Sequence, residues 1–551
     1  MAATCLDADG ESMTTTVQRF PVVRTLLEKY AGAIVFVLAL AAYLGVPRVQ
    51  WSGDTIPASY LPISILEHGS LYLDQFPSLY SDRTIRDFPH GQAELPYYIE
   101  FRQGHYVSAF SPWPALLAVP VYAVPLLLGL PPSRKSVLLW AKLAASLITA
   151  FSVLFLFLAL RELSPPAWAA GIAIVYALGT SAYSISSQAL WEHGPSAMFL
   201  MCGLYLLVRG EKDESKLPYA GLCFSLAVMM RYTDGLIAAA VAIYILHKHR
   251  HILLWYLFFS VPPGILMLAY SHYFLGSALN TGYFQWGSST AGRDWTAPFW
   301  TGFSGLLFSP ARGLFVYSPI LLFSLVGIWL VWKKGPPSFR YLSVGILFVI
   351  LVCSKWYMWW GGWSYGPRLL ADLAPLMCFF LYPLHGAMRK RPVLLVGCVL
   401  LAAFSIGMHA IGAYWDNGTW DARADVWKNP SALWSWKNSP FLYYGRYPYW
   451  DLGEVAHWLG LRRSIRGLLG IHHARARTAS SAIGIGLAPL ALRIEKKPTR
   501  HILPWCQIPK QSLWAEGERE DLCYCCNNPA CGSDGALILQ NRAGPGAGRF
   551  D

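Results

Sequence analysis

Trp51-Ser-Gly-Asp-Thr-Ile-Pro-Ala-Ser-Tyr-Leu-Pro-Ile-Ser-Ile-Leu-Glu-His-Gly69 is the stretch from which the rest of the chain can be read. It follows the first long apolar run and opens a polar segment lasting to about residue 111. Asp54 stands a few positions past the lipid exit, after a glycine that lets the chain turn sharply. Ala58, Leu61, Ile65 and Leu66 recur at helical spacing, so a short helix lying on the membrane is expected, with Glu67 and His68 near its end. The remaining apolar segments read as membrane helices arranged around this loop.

The composition sets the class. The 551 residues are 55% hydrophobic and only 14% charged, with mean hydropathy +0.37. A soluble chain carries about 25% charged residues, so the expectation is an all-α polytopic membrane protein. Lys and Arg number 44 against 31 Asp and Glu, a formal charge of +13. Positive residues in cytoplasmic loops account for that excess, and no nucleic-acid partner is expected. Aromatic residues make up 15%, with 24 Trp, as expected where rings form interfacial belts. Of 11 Cys, Cys202, Cys223, Cys353, Cys378 and Cys398 lie in apolar runs and read as small packing residues. Cys506, Cys523, Cys525, Cys526 and Cys531 crowd the tail without the two separated pairs of a zinc finger.

About twelve apolar segments can be marked, near 30–47, 112–130, 137–160, 167–185, 195–209, 217–230, 233–247, 252–275, 314–332, 340–354, 367–386 and 392–413. Arg19, Arg24 and Lys29 hold the start of the first helix in the cytoplasm. His247-Lys-His-Arg250, Lys333-Lys334 and Arg389-Lys-Arg391 mark cytoplasmic turns, which puts 275–313, 355–367 and everything after about 413 outside. Segments 217–230 and 233–247 are short and fit a hairpin with Arg231-Tyr-Thr-Asp234 at its outer tip. Segment 112–130 carries Pro112, Pro114, Pro120 and Pro125, and an interruption there would bring the loops of the first half into step. The expected organisation is a cytoplasmic segment 1–29, a transmembrane domain 30–413 whose large first extracytoplasmic loop is 48–111, a Trp-rich extracytoplasmic segment 414–470, and a disordered tail 471–551.

Ionisable groups near membrane depth are costly and usually have a purpose. Asp54 is the strongest catalytic candidate, although Asp before Pro57 would also cap a helix. Glu192 and His193 in Trp191-Glu-His-Gly194 either shape a pocket, with or without a metal, or form a polar turn before Pro195. Arg231 suits a phosphate headgroup, against a simple bridge to Asp234 or a snorkelling side chain. In Lys355-Trp-Tyr-Met-Trp-Trp-Gly-Gly-Trp-Ser-Tyr-Gly-Pro-Arg-Leu-Leu-Ala-Asp372, three glycines permit a tight loop. There Trp363 and its neighbours offer faces for a sugar ring, and Lys355 and Arg368 offer charge for phosphate. The competing reading is an interfacial belt with basic anchors. Arg312, Tyr283 and His105 are weaker members of the same set. There is no P-loop, dinucleotide fingerprint or zincin helix, which favours a lipid-borne donor over a nucleotide.

The Gly53-Asp54 loop after the first helix resembles the first outer loop of C-type (GT-C) membrane glycosyltransferases, in particular the branch of protein O-mannosyltransferases and aminoarabinose transferases. Ala220-Gly-Leu-Cys-Phe-Ser-Leu-Ala-Val-Met-Met-Arg-Tyr-Thr-Asp234 is similar to their apolar run ending in Arg, and Trp360-Gly-Gly-Trp-Ser-Tyr-Gly-Pro-Arg368 resembles a motif of bacterial members. The resemblance covers roughly residues 30–412. It implies a GT-C-like bundle in a bacterial inner or plasma membrane. It also implies transfer of a sugar from a polyprenyl phosphate, on the extracytoplasmic side, to a glycan, lipid or protein. Asp54 matches the loop acid that acts as general base or organises the site. The family often carries a second acid beside the first. Here Thr55 follows Asp54, and Glu67, Asp74, Glu100 or Glu192 would have to substitute, which leaves a divalent metal open. A lipid-linked-glycan polymerase, ligase or flippase is the alternative, as is a non-catalytic scaffold with the same fold. A flippase needs polar groups through several helices, and the midsections here are almost wholly apolar.

Overall fold

The structure is a computed structural model that describes residues 21–50, 52–80, 95–280 and 295–446, with side chains from Lys29 onward. The amino-terminal residues 1–20, Tyr283 and the tail 471–551 with its cysteines lie outside the described residues.

The described chain is mainly helical, with a single two-stranded hairpin, Ile99–Arg102 paired antiparallel to His105–Ser108. Three helices are long and apolar enough to cross a membrane: Arg134–Arg161, Arg250–Leu275 and Pro392–Trp415. The chain is a membrane protein. The three differ in place. Two thirds (67%) of the apolar window in Arg134–Arg161 is buried, against 11% and 22% for the other two. Arg134–Arg161 is therefore an inner helix. It packs against the helices Pro21–Leu44 and His193–Gly210. The other two turn Leu254, Phe258, Ile265, Val393, Leu400 and Phe404 outward. An apolar helix with exposed apolar side chains matches a hydrocarbon solvent. Further apolar helices are shorter, among them Trp113–Leu127, Pro166–Gly179, Phe299–Phe308 and Pro337–Cys353.

Several sequence expectations change here. The segment with four prolines is not interrupted: Trp113–Leu127 is one helix with Pro120 and Pro125 inside it. Runs 314–332 and 367–386 are instead divided. The first breaks at Ser318-Pro319 into Leu314–Tyr317 and Leu322–Lys334, the second into Leu373–Phe379 and His385–Lys390. Proline removes a backbone donor and clashes with the turn before it, so a helix restarts there. The helix after Asp54, Ile56–His68, does not lie on a surface. Ile56, Pro57, Ala58, Ser59, Leu61, Pro62, Ile63 and Ser64 are all buried, so both faces of its first two turns are inside.

The loop that carries Asp54 is fixed at its root by two cations. Lys142, buried in Arg134–Arg161, donates from Nζ to the carbonyls of Val46 and, at 2.6 Å, of Arg48. These oxygens lie just past the first helix, where carbonyls lack helical partners and favour positive charge. Arg48 donates to the Gly412 carbonyl at 3.1 Å and pairs with Asp416 at 3.6 Å. The first helix is thereby joined to the inner helix and to the end of Pro392–Trp415.

Candidate active site

Asp54 sits in a single 3-10 turn, Gly53–Thr55, directly before the buried helix. It caps nothing: the helix N-cap is Thr55, and no side-chain capping bond forms. Its carboxylate faces across the fold. Oδ1 accepts from the Tyr97 hydroxyl at 2.7 Å, and Oδ2 accepts from Arg368 Nη1 at 2.6 Å. The Arg368 and Asp54 side chains keep 14% and 21% of their surface exposed, so the pair is partly shielded yet reachable. Burial, and after it the Asp54 charge, holds the Tyr97 phenol well above its ordinary range, so it remains a donor. Gly53 is required by proximity rather than by a turn, since a Cβ there would run into the Tyr97 hydroxyl.

Arg368 comes from the glycine loop. Gly361, Gly362 and Gly366 all have positive φ, 76°, 68° and 71°, which only glycine adopts without strain. The Arg368 guanidinium also lies over the Trp191 ring, 4.7 Å from its centroid. The next turn carries a residue to which the sequence reading gave no role. Asp372 is fully buried and uses both oxygens: Oδ1 accepts from His193 Nδ1 at 2.8 Å, and Oδ2 accepts from Arg231 Nη1. A carboxylate on Nδ1 fixes that nitrogen as the donor. Arg231 Nη2 also donates to the Leu369 carbonyl at 2.9 Å. Arg231 therefore grips the 368–372 turn at two points, and the carboxylate it pairs with is Asp372 rather than the Asp234 of the competing reading. Asp234 accepts instead from Ser196. Glu192 is half-buried in the same neighbourhood, close enough for its charge to act on Tyr232 beside Arg231.

Five residues singled out in the sequence, Asp54, Glu192, His193, Arg231 and Arg368, thus lie in one connected cluster, joined by Tyr97, Trp191 and Asp372. The others lie apart. Glu67 is exposed at the end of its helix. His105 pairs with Asp74 at 2.7 Å, and Asp74 also takes the Tyr106 amide. Glu100 pairs with Arg102. Lys355 donates to the Ala297 carbonyl at 3.0 Å. Arg312 is buried and pairs with Asp421, while its Nε and Nη2 donate to the carbonyls of Trp360 and Gly362. The tryptophans largely pack on each other, Trp359 against Trp434 and Trp360 against Trp427, and Trp363 is left 54% exposed.

A divalent ion does not fit these donors. Both Asp54 oxygens are engaged, one by a cation, and both Asp372 oxygens are engaged by Arg231 and His193. Among the described residues no group of three His, Cys, Asp or Glu is placed to hold a metal.

No family model matches the chain, and no curated protein matches it. Among solved structures, the Archaeoglobus fulgidus oligosaccharyltransferase with Zn and sulfate is similar at 14% identity and TM-score 0.41, over 72% of this chain and 55% of that one. The same enzyme tethered to an acceptor peptide with the NVT sequon gives 13% and 0.41, over 72% and 57%. Its complex with an inhibitory peptide and a dolichol-phosphate gives 12% and 0.41, over 76% and 60%. The chain thus spans less than two thirds of the length of these structures. They are of a GT-C superfamily glycosyltransferase, and the likeness bears on neither reaction nor substrate.

Proposed function

We propose that this chain is a glycosyltransferase that moves a sugar from a polyprenyl-phosphate donor to an acceptor hydroxyl on the extracytoplasmic side of a bacterial inner or plasma membrane. The observation that carries the reading is the Asp54–Arg368 pair: an acid on the loop after the first helix, within 2.6 Å of a guanidinium and reachable from outside. These are the two charges that displacement at a sugar phosphate requires.

In the mechanism, the donor phosphate draws the Arg368 guanidinium off Asp54 and takes its place. The freed Asp54 carboxylate accepts the proton of the acceptor hydroxyl as its oxygen bonds to the anomeric carbon. The bond from that carbon to the phosphate oxygen breaks, and the electron pair leaves on the polyprenyl phosphate, whose charge Arg368 holds. General-base help of this kind contributes about 10²–10⁴-fold, and a fixed cation at the leaving group adds electrostatic stabilisation. Attack opposite the leaving group inverts the anomeric centre. Arg231 is a positioning residue here, because its charge is already met by Asp372.

The test compares surface glycans and polyprenyl-phosphate sugars by mass spectrometry in three strains: a deletion, the deletion with wild type restored, and the deletion with Asp54→Asn at equal expression. The expected result is that the variant matches the deletion, losing a glycan and accumulating its lipid donor. A variant that behaves as wild type while the deletion is defective removes Asp54 from the chemistry and the transferase reading with it.

A further inference from the structure

A second concave feature lies in the segment after the last long helix. Residues 420–446 enclose a cavity of about 350 Å³, lined among others by Trp420, Arg423, Asn429, Lys437, Asn438 and Arg446. That volume falls at the lower end of the roughly 300–1,000 Å³ of ligand pockets. Its chemistry is one-sided. Three cations and two amides line it, with no Asp or Glu among the lining residues. The nearest acids in sequence are committed elsewhere: Asp421 to Arg312, and Asp425 to Lys428 at 3.0 Å. Among the described residues, none of the three lining cations has a carboxylate partner; Arg423 lies 6.0 Å from the Tyr443 ring centroid.

The wall is built rather than incidental. Trp420 is buried, and its indole N–H donates to the Asn438 carbonyl at 2.6 Å. Its backbone N–H donates to the Tyr444 hydroxyl at 3.1 Å, and the Arg312 guanidinium lies 5.1 Å from its ring centroid. Ser431 Oγ donates to Asn429 Oδ1 at 2.6 Å. Trp420 thus fixes one wall of the cavity, while the exposed Arg423, Lys437 and Arg446 side chains are ordered when a ligand binds. The same Arg312 that seats Trp420 and Asp421 also holds the Trp360 and Gly362 carbonyls of the loop that ends in Arg368. One loop therefore connects the cavity wall to the Asp54–Arg368 pair.

We propose that this cavity binds the acceptor, and that the acceptor is an acidic oligosaccharide: Asn429 and Asn438 meet sugar hydroxyls while Arg423, Lys437 and Arg446 meet carboxylate or phosphate substituents. The role as acceptor subsite rests on the transferase reading; the binding itself does not. Full-length protein in detergent is titrated with tetragalacturonate, with maltotetraose as the neutral control and phosphatidylglycerol vesicles as the lipid control. The expected result is salt-sensitive binding of tetragalacturonate, about tenfold or more tighter than maltotetraose. It falls about tenfold in Arg423→Ala/Lys437→Ala/Arg446→Ala and in Lys437→Glu alone. Lys437 and the two arginines are exposed, so these variants keep the fold. Asp54→Asn leaves the binding unchanged, which separates this inference from the one on transfer. Equal binding of maltotetraose, unchanged binding by the variants, or binding to the vesicles alone overturns the proposal.

Discussion

Partner exchange at Arg368 makes a prediction that needs no knowledge of the sugar. The probe is a short polyprenyl phosphate, and the perturbation is Asp54→Asn. In the free protein the guanidinium is held by Asp54 at 2.6 Å, with most of both side chains shielded. A hydrogen bond to a charged group contributes about 1.5–3 kcal/mol, whereas fully exposed ion pairs contribute about 0–1 kcal/mol. A partly shielded pair lies between, at about 1–1.5 kcal/mol. The lipid phosphate must displace this pair, so its removal should tighten binding about five- to tenfold, although the variant no longer transfers sugar. Loss of a nearby negative charge would by itself also favour a phosphate, so the decisive measurement is a double-mutant cycle. With Arg368→Ala as background, Asp54→Asn should tighten binding distinctly less, because only the loss of negative charge remains and no guanidinium is released. Microscale thermophoresis on the four proteins gives the coupling. A tightening of equal size with and without Arg368 would refute the exchange.

Three further outcomes follow from the packing. Asp372→Asn removes the carboxylate paired with the buried Arg231, leaving Asp234 as the remaining buried acid nearby, so the cost stays below the about 3–5 kcal/mol of a fully unpaired buried charge; a drop in melting temperature in detergent is expected, and an unchanged melting curve contradicts the assigned geometry. Gly53→Ala places a methyl group against the Tyr97 hydroxyl, so Tyr97 must leave Asp54; glycan transfer in the complemented deletion strain should fall by about 10²-fold, as for a group displaced by about 1 Å, and wild-type transfer would contradict it. Gly327→Ala drives a Cβ into the Phe380 carbonyl oxygen, while Gly397 has nothing within 4 Å of that position. The first should destabilise by about 1–3 kcal/mol and the second should be neutral or slightly stabilising, with thermal unfolding of the two variants side by side as the check.

The parts of the site legible in the sequence were those whose burial is expensive. Asp54, Glu192, His193, Arg231 and Arg368 stand at the margins of apolar runs, where an ionisable group requires a partner. Composition and run length likewise indicated a helical membrane chain. The identity of each partner was not legible. Arg231 and Asp372 are 141 residues apart, and Arg312 and Asp421 are 109 apart. Nothing local separates Arg368, which reaches Asp54, from Arg312, which serves a loop and a Trp-rich segment. Asp372 had one available signal, an acid four residues after Arg368 at the start of an apolar stretch. Tyr97 had none, since the sequence does not show that Gly53 leaves room for its ring. Run length also misled where proline divides a run, as at Pro319. Proline does not divide Trp113–Leu127, which runs as one helix through Pro120 and Pro125.

Lys142 has a consequence for how the polypeptide enters the bilayer. Lys142 stands in the third turn of a helix whose core is strongly apolar, and a lysine there opposes insertion, by less than the about 2.5–3.5 kcal/mol that applies at a helix centre. In the finished protein that charge is satisfied by two carbonyls at the end of the first helix, made about a hundred residues earlier. The helix Arg134–Arg161 therefore integrates at least penalty when Pro21–Leu44 is still beside the insertion channel. The ribosome's order of synthesis supplies the ligand before the charge that needs it.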